Sequence, residues 1–194
     1  MRSGIKTVIF ILVLCAFRCP ADAAEPPFSS RTATPPPPGT EASSRAVALM
    51  VGRIASFTRW PQNLGRLLVC VVGPARFAGA IAQSGETARR PVTVRSLTTP
   101  NPSTLDGCNI VYLGSVYMNS LAPGQLLRVL SLLREQAVLS IAEVDPACRS
   151  GAMFCLQVAP DRLSFLLNVD AIARSPLRVD PRVLRLAQFN GVEP

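Results

Sequence analysis

From Ser43 onward the apolar positions of this chain switch repeatedly between helical and strand spacing. Ser43 or Ser44 can cap a helix in which Val47, Met50, Ile54 and Phe57 recur at intervals of three and four, with Pro61 as its stop. Leu67–Val72 is an uninterrupted apolar run between Gly65 and Gly73-Pro74, the pattern of a strand buried on both faces. A small-residue helix with Phe77, Ala80 and Ile81 follows, then an alternating strand from Pro91 to Leu97 and a third apolar run, Cys108–Leu113, stopped at Gly114. Pro123 opens a helix carried by Leu126, Leu127, Val129, Leu130 and Leu133, and Ala137–Ala142 reads as a fourth strand. Ala152–Val158 and Leu163–Val169 flank Ala159-Pro160-Asp161-Arg162 as an antiparallel hairpin. Asn168 or Asp170 can cap a short helix after it, and Pro181 can open a last one through Leu184 and Leu186. The predicted fold class is α/β: a single domain, mainly parallel sheet flanked by helices, with an antiparallel hairpin.

The first residues read as an address. Arg2 and Lys6 form a positive region, Val8–Ala16 an apolar one, and Ala21-Asp22-Ala23 the small-x-small pattern of a signal-peptidase site. The apolar run is short for a bilayer span. Leu14 and Arg18 precede Cys15 and Cys19 where a lipoprotein signal wants a small residue. The expected division is therefore a signal peptide over 1–24, a proline-rich disordered segment over 25–42 and the α/β domain over 43–194. Pro26, Pro27 and Pro35–Pro38 leave the middle segment too little apolar area to offset its ordering entropy.

Composition removes several kinds of chemistry. The 194 residues contain no histidine, which excludes imidazole-based triads, His-ligated zinc and proximal-His haem. The net charge is +8, from 20 basic and 12 acidic residues, and Lys6 is the only lysine. Cleavage after residue 24 removes Arg2, Lys6, Arg18 and Asp22 and leaves +6. The arginines are scattered, with Arg89-Arg90 the only adjacent pair, so no nucleic-acid partner is expected.

Four cysteines remain after processing: Cys70, Cys108, Cys148 and Cys155. An even number in an exported chain without CxxC spacing points to two disulfides rather than to a metal site. Three pairings are possible. Cys148 and Cys155 flank a short turn containing Gly151 and can close a small loop, which leaves Cys70 with Cys108. No metal or cofactor is expected.

Three constellations carry candidate chemistry. Arg59-Trp60-Pro61 joins a helix end to the first strand; an Arg beside a Trp suits an interface anchor, and a lone Trp also suits the core. Asn168 to Arg178 mixes Val169, Ile172 and Leu177 with Arg174 and Arg178, which suits either a partner groove or a capped helix on the sheet. The candidate partner-binding residues are thus Arg59, Trp60, Ile172, Arg174 and Arg178. Gly73-Pro74-Ala75-Arg76 follows a strand and opens a helix, a place for an anion, though without GxGxxG. Glu143, Asp145 and Asp170 are the acidic residues from which a hydrolytic pair would have to be drawn, and nothing in the spacing brings them together.

Six blocks then stand in one order: Phe57-Thr58-Arg59-Trp60-Pro61, Leu68–Gly73, Gly107–Gly114, Leu139–Glu143, Gly151–Leu156 and Phe165–Ser175, followed by Pro181–Ala187. With the four cysteines, they make residues 45 to 190 resemble the YfiR family of periplasmic proteins. One departure is Pro176, where the family more usually has glycine; proline cannot take a positive φ. The resemblance implies a non-enzymatic inhibitor that binds the periplasmic sensor domain of a membrane-bound diguanylate cyclase. It thereby lowers cyclic-di-GMP and biofilm formation. An outer-membrane lipoprotein is the implied partner that sequesters it, and a second copy of the chain is a further candidate partner. The alternative from the residues alone is a periplasmic module that binds a small carboxylate or anion.

Overall fold

The computed structural model describes residues 29–34, 40–84, 86–87, 90–144, 147–159 and 162–187. In chain order they form β1 (Ser29–Thr34), α1 (Thr40–Ser56), β2 (Thr58–Arg59), β3 (Leu67–Val72), α2 (Ala78–Gln83), β4 (Glu86–Thr87) and β5 (Arg90–Leu97). There follow β6 (Ile110–Leu113), α3 (Ser115–Ser120), α4 (Pro123–Glu135), β7 (Leu139–Ala142), α5 (Ala147–Ser150), β8 (Phe154–Ala159), β9 (Arg162–Leu167), α6 (Val169–Ala173), β10 (Arg178–Val179) and a 3-10 helix, Pro181–Ala187.

Eight strands make one sheet in the order β1-β9-β8-β7-β6-β3-β5-β4. The pairs β5–β3, β3–β6, β6–β7 and β7–β8 are parallel. The β8–β9 hairpin, β1 on β9 and β4 on β5 are antiparallel. This is the expected α/β class with its hairpin addition. Runs that look uniformly apolar in sequence divide by alternate residues between two cores. Leu67, Val69 and Val71 of β3, with Ile110 and Tyr112 of β6, face α1 and α2. Cys70 and Val72, with Val111 and Leu113, face Leu126, Leu130 and Leu133 of α4. Burying both faces is what makes the alternation invisible along the chain.

Several boundaries differ from the expected ones for local reasons. Helix α1 begins at Thr40, so Ser43 and Ser44 lie inside it rather than at its cap. It ends at Ser56, well before Pro61, because the Ser56 hydroxyl donates to Arg53 O at 2.7 Å and the Thr58 hydroxyl to Ile54 O at 3.0 Å. Ser29–Thr34, within the segment expected to be disordered, lies as an edge strand with Ser29 opposite Leu166 and Ser30 opposite Phe165. Edge pairing uses main-chain groups and does not require apolar side chains. The expected signal peptide falls outside the described residues. Of the two suggested caps for α6, Asn168 is the one used: its Oδ1 accepts Ala171 N–H at 2.8 Å, while Nδ2 donates to Cys148 O at 2.6 Å. The final helix is of the 3-10 type.

The chain leaves β3 for β5 on one side and then returns to β6 on the other. Their shared carboxyl end is therefore a topological switch point, where open parallel sheets form a crevice. Two glycines let the loops meet there. Gly73 has φ 68°, and a Cβ on it would collide with Cβ of Tyr117; a Cβ on Gly114 would collide with the carbonyl oxygen of Pro74.

Candidate functional site

The short strands β2 and β10 form a two-stranded antiparallel ribbon apart from the main sheet. Its register sets Arg178 opposite Arg59 and Val179 opposite Thr58. Both arginines are exposed. Among the described residues the Arg178 guanidinium donates to the neighbouring Leu177 carbonyl, at 3.1 Å. Among the described residues neither arginine has a carboxylate partner. The adjoining Asp180 is occupied elsewhere: Arg182 Nε and Nη2 reach its two oxygens at 3.0 to 3.1 Å and 2.6 Å. Those hydrogen bonds, with a smaller field from Arg59, pull the Asp180 carboxyl down to about 2.

Trp60 lies beneath this ribbon at 9% exposure, within the core, and its indole N–H donates to Asn109 O at 3.2 Å. Ile172 on α6 is half-buried and packs against the same core. Arg174 is exposed and ion-paired with Asp170 one turn earlier. Helix α6 packs on β10, which brings the Ile172 region to the ribbon. Of the five residues singled out, Arg59 and Arg178 are the two placed directly opposite each other.

Both expected disulfides are present, Cys70–Cys108 and Cys148–Cys155, each with Cα atoms 5.8 Å apart. The first ties β3 to the loop before β6; the second ties α5 to β8. Arg95 caps the first, its Nη2 donating to Asp106 O at 2.7 Å and Thr104 O at 2.9 Å and lying 3.1 Å from the sulfur of Cys108. A charged residue within the alternating strand β5 was the sequence signal for this clamp.

The switch point holds a group that sequence reasoning named only as a hydrolytic candidate. Glu143 follows β7 and is 4% exposed. Its Oε1 accepts Phe77 N–H at 3.2 Å and its Oε2 accepts Ser115 N–H at 2.9 Å. The donors after Gly73-Pro74-Ala75-Arg76 that were expected to suit an external anion are thus taken by an internal one. Tyr112 is fully buried, and its hydroxyl interacts with the Glu143 carboxylate. Burial, reinforced by the Glu143 charge, holds that hydroxyl far above the ordinary tyrosine range. Glu143 and Asp170 sit in unlike settings, one buried and one exposed on α6 beside Arg174. Asp145 lies outside the described residues. Among the described residues no group of three or more His, Cys, Asp or Glu is placed to hold a metal, and no helix is long and apolar enough to cross a membrane.

Residues 44–188 of the 194 match the family described as YfiR/HmsC-like, and the chain belongs to it.

Proposed function

We propose that this YfiR/HmsC-like chain is a periplasmic negative regulator that works by binding. Its target is the periplasmic sensor domain of a membrane-bound diguanylate cyclase, whose restraint lowers cyclic-di-GMP and biofilm formation. Family membership over residues 44–188 supports the regulatory role and the compartment. Residues 1–24 act as the export signal in this reading, and an outer-membrane lipoprotein competes for the regulator.

The observation that carries the reading into this chain is the β2–β10 ribbon. Two exposed arginines stand opposite each other with no carboxylate ion-paired to either among the described residues, an arrangement that costs the isolated chain and is relieved by a partner. The proposed contact surface comprises Arg59 and Arg178, with Ile172 and Arg174 on the adjoining α6 and Trp60 supporting the ribbon from below. Rim charges of this kind steer association, and a half-buried apolar residue beside them supplies desolvated contact.

The test is genetic and direct. Deleting the gene should raise cyclic-di-GMP only in cells that carry the partner cyclase, and the purified chain should bind that cyclase's periplasmic domain. Exchanging Ile172 for Asp should weaken this binding by roughly thirtyfold. The melting temperature is followed in parallel, since Ile172 also packs on the core. Unchanged cyclic-di-GMP with both proteins expressed would sink the proposal.

A further inference from the structure

At the carboxyl ends of β3, β6 and β7 lies a cavity of about 280 Å³. Its polar lining residues are Glu143, Arg76, Ser115 and Gln157. Phe77, Val144, Leu156 and Val158 supply apolar walls. The cavity stands where open parallel sheets bind small molecules.

Two opposite charges line it, and among the described residues no ion pair joins them. Glu143 is almost fully buried, yet among the described residues no cationic side chain lies within ion-pair distance of it. Each of its oxygens accepts one backbone N–H. A carboxylate has about four lone-pair sites, so beside the two amides and the neighbouring Tyr112 hydroxyl it can still accept from a ligand. Buried charges are ordinarily paired, and this one faces a cavity instead. The fully buried Tyr112 hydroxyl belongs to the same electrostatic group as Glu143 and Arg76 and interacts with the Glu143 carboxylate. Arg76 is exposed on the cavity lining, with its guanidinium 5.0 Å from the Phe77 ring centroid and no carboxylate partner among the described residues.

The geometry points to a small zwitterion of the α-amino-acid class with an aliphatic side chain as the ligand of this cavity. Its ammonium would donate to the remaining lone-pair capacity of Glu143 and its carboxylate would meet the Arg76 guanidinium. The side chain would lie against Leu156, Val144 and Val158. A simple anion does not satisfy the site, because Glu143 repels it and already holds the loop donors. The inference goes beyond the regulatory reading and does not depend on it, since no cyclase enters the test.

The experiment uses the full mature chain, oxidised, with L-leucine as the probe in calorimetry and in NMR of the Gln157 side-chain amide. Leucine should bind, while 4-methylpentanoate, which lacks the ammonium, and 3-methylbutylamine, which lacks the carboxylate, should each bind at least about tenfold more weakly. Arg76→Gln, at an exposed position, should weaken leucine by about tenfold at an unchanged melting temperature. Val158→Trp should fill the cavity and remove binding. No leucine binding at millimolar concentration overturns the inference. So does leucine binding that is indifferent to both substitutions, and so does equal affinity for 4-methylpentanoate.

Discussion

Arg59 and Arg178 are direct partners across the antiparallel β2–β10 ribbon, although 119 positions separate them in the chain. Like charges in that relationship repel, and the adjoining carboxylate, Asp180, is held by Arg182. The ribbon persists because its backbone is anchored at both ends: Asp180 N–H donates to Phe57 O at 2.8 Å, and Trp60 bonds into the sheet through Asn109.

Arg178→Glu should therefore raise the stability of the isolated chain by about 0.2–1 kcal/mol, because an opposed like pair becomes an opposite pair. The same change should lower affinity for the cyclase domain and flatten its dependence on salt. Thermal denaturation and binding at two ionic strengths read the two effects, which have opposite signs. A variant gaining both stability and affinity would remove the ribbon from the contact surface.

The disulfides close loops with sequence separations of 38 and 7. In the chain-entropy account, replacing both cysteines of the longer loop by alanine should cost about 4 kcal/mol, and of the shorter about 2.5 kcal/mol. Urea unfolding of the two double variants gives the comparison. Natively exported chain should also weigh four hydrogens less than its all-thiol form.

Asp180 should titrate with a midpoint of about 2, below the ordinary carboxylate value, because Arg182 hydrogen-bonds its charged form. A lowered folded-state value stabilises above the unfolded value near 3.8, and the contribution disappears as pH falls towards 2. Carboxyl NMR titration checks this. In Arg182→Gln the midpoint should move up towards the ordinary range.

Gly114 and Gly124 should respond oppositely to alanine. At Gly114 the new Cβ meets the Pro74 carbonyl, and the loops at the switch point must separate; a loss of about 2–4 kcal/mol is expected. At Gly124, in the first turn of α4, nothing lies within 4 Å and helix propensity favours alanine by up to about 1 kcal/mol. Differential scanning calorimetry of the pair distinguishes steric from conformational effects.

The main strands were legible because burial on both faces forces unbroken apolar runs such as Leu67–Val72, whatever their neighbours. Helix α4 was legible from Pro123 and its leucine spacing, and Gln125 adds first-turn support by accepting Ala122 N–H at 3.0 Å. The disulfide partners could be reasoned from the loop around Gly151. Helices α3 and α5, of six and four residues, were missed because so short an element has room for neither a full amphipathic period nor a clear cap. The ribbon and the switch point were beyond local pattern. Val179 meets Thr58 with strands of the main sheet intervening along the chain, and Glu143 receives donors from Phe77 and Ser115, 66 and 28 residues away. Periodicity reports which side of an element is buried, so the sequence by itself determined the main strands, the helix α4 and the cysteine count. Which distant backbone N–H meets which carboxylate, and which arginine faces which, depends on strand order and loop approach, and only the tertiary structure decided those.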